Sequence, residues 1–157
     1  MHDGDRVELR ERIESDFEPL FAMSQDPIAN QMSMVYPLTR EQFEARWNRV
    51  PESVNEISMT ILFGDCVVGK VSSFTVEDET HVGYFVAQEH WGKGIATRAL
   101  RLFVEQFGHR PLIAHVASSN IGSCRVLEKC AFVKIDERES PETERYMACV
   151  EAIYELY

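Results

Sequence analysis

Gln88-Glu-His-Trp-Gly-Lys-Gly-Ile-Ala-Thr-Arg-Ala-Leu100 joins a glycine-bearing loop to the start of an amphipathic helix. Ahead of it, Thr80-His-Val-Gly-Tyr-Phe-Val-Ala87 reads as a strand. Apolar side chains recur at Ala96, Ala99, Leu100, Phe103 and Phe107, while Lys93, Thr97, Arg98, Arg101 and Glu105 take the opposite face, as a helix packed on a core requires. Gly108 marks its expected end. The first turn of such a helix presents N–H groups without partners, at the positive end of the dipole. Gly92 and Gly94 omit the side chains that would hold a bulky anion away, and Lys93 adds a mobile charge. The loop therefore reads as a diphosphate cradle, although a tight connection is the plain alternative. Spacing removes two other phosphate loops. No Gly-x-x-x-x-Gly-Lys-Ser/Thr occurs, and the dinucleotide pattern would need a small residue where Thr97 stands.

Working outward, Pro111-Leu-Ile-Ala-His-Val-Ala117 is a buried strand, and Asn120 is placed to cap the helix after it. Upstream, Glu56-Ile-Ser-Met-Thr-Ile-Leu-Phe63 and the run 66–76 flank Gly64-Asp65, a hairpin signal, and 77–79 turns the chain into the strand before the loop. Val7-Glu-Leu-Arg-Glu11 alternates as a first strand. Residues 14–24 carry Phe17, Leu20 and Phe21 at helical spacing, with Pro19 in the opening turn or at a kink, and Asp26-Pro27 breaks the run. Residues 32–37 form a methionine-bearing connection. Thr39-Arg-Glu-Gln42 has capping-box spacing and opens a helix to Val50. The tail 145–157 fits either a strand or a helix by spacing.

With these pieces in place, Trp91-Gly-Lys-Gly-Ile-Ala96, Asn120-x-x-Ser123, Leu127-Glu-Lys129 and Ala131-Phe132 resemble the GNAT superfamily of acetyl-coenzyme A-dependent N-acetyltransferases. The branch it looks most like contains the ribosomal-protein N-terminal alanine acetyltransferases (RimJ/RimL-like), which share the Trp-Gly-x-Gly loop and a Ser-Asp…Asp-Pro segment, here Ser15-Asp16 and Asp26-Pro27. The resemblance covers nearly the whole chain. It implies one α+β domain over 1–157, with a mixed, mostly antiparallel sheet of six or seven strands and about four helices. It also makes the tail a strand. Two splayed strands would then hold the coenzyme.

The resemblance also implies roles. Phe85, Val86 and Ala87 would offer a backbone N–H to the thioester oxygen. Trp91, Gly92, Lys93, Gly94, Ile95, Ala96 and Thr97 would hold the pyrophosphate, with Asn120 and Ser123 on the pantetheine arm. His81 stands where members often have Glu, and it titrates in the useful range, so it is the first candidate base, with Glu79 second. Leu127 stands where many members have a tyrosine that protonates the leaving thiolate. Ser123 is then the candidate donor, with Tyr84 and Tyr146 in reserve. Met32, Met34 and Tyr36 would touch the acceptor, or simply pack. Ala131, where many members have glycine, implies a slightly different helix exit.

A chain of 157 residues, 45% apolar and 27% charged, reads as one globular domain. It shows neither a transmembrane-length apolar run nor a signal segment, so a cytoplasmic location is expected. Cys66, Cys124, Cys130 and Cys149 form no metal-ligand pattern and read as reduced thiols, so no metal is expected. The formal charge of −10 argues against nucleic acid and favours a cationic acceptor, a polyamine or a protein N-terminus, although acidic surface also serves solubility. Acetyl-coenzyme A is the expected acyl donor, a monomer and a homodimer are both compatible, and a catalytically silent acyl-coenzyme A-binding module is the alternative function.

Overall fold

The computed structural model describes residues 6–107 and 109–157; the expected helix stop at Gly108 lies outside them. Four strands, β1 (Val7–Glu11), β2 (Ser58–Phe63), β3 (Cys66–Val76) and β4 (Glu79–Val86), form an antiparallel run. Each hairpin turns where the backbone can enter the left-handed region. Gly64 has φ 61° between the paired Phe63 and Cys66, and Glu77 and Asp78 take φ 49° and 68° between Val76 and Glu79. Two-residue turns of that hand match the strand twist. The next strand, β5 (Leu112–Ala117), runs parallel to β4, which requires a crossover, and α4 (Ile95–Phe107) provides it. After α5 (Ile121–Lys129) come β6 (Val133–Ser140) and β7 (Cys149–Leu156), giving the order β1-β2-β3-β4-β5-β7-β6.

Strand alternation divides the side chains between two layers. Val82 and Val86 of β4 join Ile61, Val68 and Val71 under Ile95, Ala99, Leu100 and Phe103 of α4 and Leu127 of α5, the main core. On the other face, α1 (Phe17–Ser24) and α3 (Arg40–Trp47) bury Leu20, Phe43 and Trp47 with Phe85 packed against them. Phe17 sets its ring edge-on to Phe43 and Trp47, at 5.3 and 5.2 Å. The segment entering α1 is anchored by a buried Asp16 carboxylate. It accepts from Arg10 at 2.7 and 2.9 Å, from the Ile13 N–H at 3.0 Å and from Thr60 Oγ1 at 2.8 Å. Those bonds, that from Arg10 foremost, hold the carboxyl at about 2.

Several boundaries differ from the sequence reading, each for a local reason. Asp26-Pro27 does not merely end a helix. Asp26 Oδ1 accepts from the Ile28 N–H and Pro27 occupies the first turn, so a fifth helix, α2 (Pro27–Ser33), begins there and takes up Met32. Helix α3 stops at Trp47 instead of Val50, which is 78% exposed and has no face to bury. The edge strand β6, Val-Lys-Ile-Asp-Glu-Arg-Glu-Ser, is almost wholly exposed and so carries no strand signal. Ala131 leaves α5 at φ 70°, with Phe132 N–H donating to the Leu127 carbonyl and Ala131 N–H to that of Glu128. That is the glycine-type exit, taken by an alanine, and not the different exit expected. Among the described residues no helix is long and apolar enough to cross a membrane.

Candidate active site

The parallel strands β4 and β5 pair at one position, His81 with Ile113. Beyond it β4 continues to Val86 on β3 alone, with Gly69 opposite Val86, so a gap opens toward the start of α4. Gly69 makes that close approach of β3 possible: a Cβ there would lie 2.0 Å from the Phe85 carbonyl oxygen. A continuous cleft of about 2740 Å³ runs through the gap, lined by β4, the loop, the start of α5 and the α1–α3 face.

The loop at the mouth of the gap is held from behind. The N–H groups of His90 and Trp91 close a short turn onto the Ala87 and Gln88 carbonyls, and Arg98 N–H donates to the Gly94 carbonyl. Arg98 Nη2 also donates to the Lys93 carbonyl at 2.9 Å, and its Nε donates to the Gly94 carbonyl at 3.4 Å. In a trans peptide the C=O and the following N–H point oppositely, so drawing both carbonyls to Arg98 turns the Gly94 and Ile95 N–H groups the other way. Gly92 and Gly94 have φ 80° and 73°, and a Cβ on either would meet nothing within 4 Å. The result is an open cup of backbone donors at a helix N-terminus, a fit for the twin phosphates of a coenzyme.

Within this stretch the Ile95 side chain is buried, so its backbone faces the cup, while Ala96 and Thr97 line the cleft. Trp91 donates its indole N–H to the Val86 carbonyl at 2.7 Å and so ties the loop to the strand end. Lys93 stands outside the cleft lining, 3.3 Å from His90 Nδ1 and 5.4 Å from the Phe63 ring centre.

Across the gap, the Tyr84 hydroxyl donates to the Ser123 carbonyl and lies 2.8 Å from Ser123 Oγ. Burial pushes the Tyr84 phenol well above its ordinary range, so it stays protonated. Asn120 caps α5, its Oδ1 accepting from the Ser123 N–H at 3.3 Å. Leu127 is core and lies among apolar side chains.

The opposite face of β4 carries His81, at the vertex of the gap and 6% exposed. Its Nε2 is buried without a partner. Burial, then the neighbouring His115, lowers its pKa from 6.5, so the ring is neutral at neutral pH. The His81 and His115 ring centres lie 4.9 Å apart, and His115 Nδ1 is 2.7 Å from Glu151 Oε1. Glu79 is exposed and lies outside the cleft lining. Met32 and Met34 line the cleft. Tyr36 does not; its N–H donates to the Arg145 carbonyl at 2.8 Å, stitching the α2–α3 connection to the β6–β7 connection.

Three features went unread in the sequence: the Arg98 clamp, the His115–Glu151 contact and Lys70. Each had a signal. Arg98 stands one helical turn beyond Gly94, His115 is the lone polar residue of an apolar strand, and Lys70 is the lone charged residue of its strand.

A probable N-acetyltransferase of Bacillus subtilis, YjcK, is 40% identical over 78 residues, a match spanning 45% of this chain and 43% of that protein. The spermidine N-acetyltransferase of Vibrio cholerae, solved with coenzyme A and spermine, superposes with TM-score 0.78 at 18% identity, covering 94% of each chain. RimL, a ribosomal-protein alpha-N-acetyltransferase solved with coenzyme A, gives 0.75 at 16% identity over 96% of this chain and 93% of its own. These two likenesses show the fold. Residues 6–133 match the family model of the acetyltransferase (GNAT) domain, and the chain therefore belongs to the GNAT acetyltransferase family.

Proposed function

We propose that the protein transfers an acetyl group from acetyl-coenzyme A to a primary amine by direct attack. The observation that carries this reading is the β4–β5 gap ending at the open Gly92–Gly94 cup. When bound, acetyl-coenzyme A supplies the activated acyl carbon. Gly92 to Thr97 hold its diphosphate, and the Asn120 amide nitrogen faces the pantetheine arm. The Ala87 N–H donates to Val68, so strand alternation turns the Val86 and Tyr84 N–H groups into the gap to hold the thioester oxygen. The two proton-handling groups then sit on opposite faces of β4. His81, neutral and unpartnered, takes the proton of the incoming amine, and His115 with Glu151 lies beside it as the way out. Tyr84 and Ser123 together supply a proton to the departing thiolate, the work a tyrosine at Leu127 would do.

Kinship with the ribosomal-protein branch is supported by the Trp91-Gly-Lys-Gly loop and the likeness to RimL, while the spermidine enzyme is as similar in fold. Thiol release from acetyl-coenzyme A across a panel of amines tests the activity. Tyr84→Phe and His81→Gln should each lower kcat by roughly a hundredfold while leaving coenzyme affinity unchanged. Tight coenzyme binding without turnover of any amine would support the silent module instead.

A further inference from the structure

The acceptor side of the cleft holds cations that the acetyl-transfer reading does not use. Lys70 of β3 lies opposite Phe85, with Nζ 5.8 Å from that ring centre, on the face covered by α1 and α3. Arg46 on α3 and Arg145 in the β6–β7 connection line the same cleft. Arg145 donates one guanidinium N–H to the Tyr36 carbonyl, and its Nε is buried without a partner. Arg12 lies beside them, with its guanidinium 3.8 Å over the Trp47 ring.

Among the described residues none of Arg46, Lys70 and Arg145 forms an ion pair. The cleft's carboxylates are engaged elsewhere or exposed. Glu56 pairs with Arg49 at 3.1 Å, Glu151 meets His115, Asp26 caps α2, and Glu11, Glu52 and Glu89 are exposed. Burial, followed by Arg46, Arg12 and Arg145, lowers the Lys70 ammonium to about 8. Cations gathered this closely repel one another and are poorly solvated, a cost that an incoming anion offsets. The coenzyme's diphosphate is not that anion, because its cup lies at the start of α4, whose side chains pack on the other face of the sheet.

Building on the acetyl-transfer reading, we propose that the acceptor bears an anionic group, a carboxylate or a phosphate, beside its amine, and that Arg46, Lys70 and Arg145 receive it. The local field then opposes the sign expected from the net charge of −10, and a polyamine is the wrong acceptor.

Calorimetric titration of the coenzyme A-loaded protein and of the free protein with matched probes tests this. β-Alanine against propylamine scores the carboxylate, O-phosphoethanolamine against ethanolamine scores the phosphate, and spermidine is the cationic control. At least one acid-bearing probe should bind roughly tenfold or more tightly than the partner amine that lacks the acid and than spermidine. Arg46→Gln combined with Lys70→Gln should erase that preference without weakening acetyl-coenzyme A. Equal binding within both pairs, no binding, tighter spermidine, or a preference that survives the double substitution overturns the proposal. Coenzyme affinity, read in the same samples, reports separately on acetyl transfer: its absence would sink that reading and leave the anion preference to be scored on the free protein.

Discussion

Ala131 holds φ 70° only because the exit from α5 demands it, with Leu127 and Phe132 buried on either side. An alanine in the left-handed region costs about 1–2 kcal/mol, and glycine's greater unfolded-state freedom returns about 0.4–1 kcal/mol of that. Ala131→Gly should therefore raise Tm by about 2 °C with no change in activity. An unchanged or lower Tm would show that the strain is absent. His81 makes a second claim at this scale. Its pKa is lowered from 6.5, so the neutral, proton-accepting ring persists through neutral pH and is lost only on acidification below that value. The profile of kcat/KM against pH should carry a step on the acid side of 6.5 that disappears in His81→Gln. A step that survives the substitution would assign it to another group.

At the scale of the element, β4 is shaped by its neighbour. Gly69→Ala would drive a methyl into the Phe85 carbonyl, which no side-chain rotation can relieve, so β4 must shift. We expect a loss of about 1–3 kcal/mol in stability, with a weaker grip on coenzyme because Val86 moves with the strand; equilibrium unfolding and coenzyme titration check both. How far elements could be read from sequence follows the same physics. The run β2–β4 and helix α4 were legible because each buries one regular face and turns at a residue suited to the turn. The missed β6 buries almost nothing, so no periodicity marks it. Helix α2 was hidden because Asp-Pro both stops one helix and starts another. In the candidate site, the glycine loop and Asn120 were visible as local patterns. The meeting of Tyr84 with Ser123, of His81 with His115, and of Lys70 with Arg46 and Arg145 depends on sheet order and helix docking, which spacing along the chain does not encode.

Across the whole molecule, charge acts locally and not through its total. A chain of net charge −10 places a cationic cluster inside its cleft and uses a buried carboxylate, Asp16, as an anchor between β1, β2 and α1. The Asp16 carboxyl titrates at about 2 when folded and at 3.8 ordinarily, so its share of stability is complete above that ordinary value and vanishes as pH falls through the folded one. That share is about 2 kcal/mol. Asp16→Asn should flatten the dependence of stability on pH across this acid window, and an unaltered slope would place the acid sensitivity elsewhere.

In the proposed acetyl transfer, the backbone N–H groups of the Gly92–Gly94 loop, aimed by Arg98, grip the coenzyme's diphosphate. Isothermal titration of acetyl-coenzyme A into the protein and into Gly94→Val is the deciding measurement. Binding should be saturable, and the substitution should weaken it at least about tenfold. An absence of heat with the unaltered protein, or equal affinity in the variant, would contradict it.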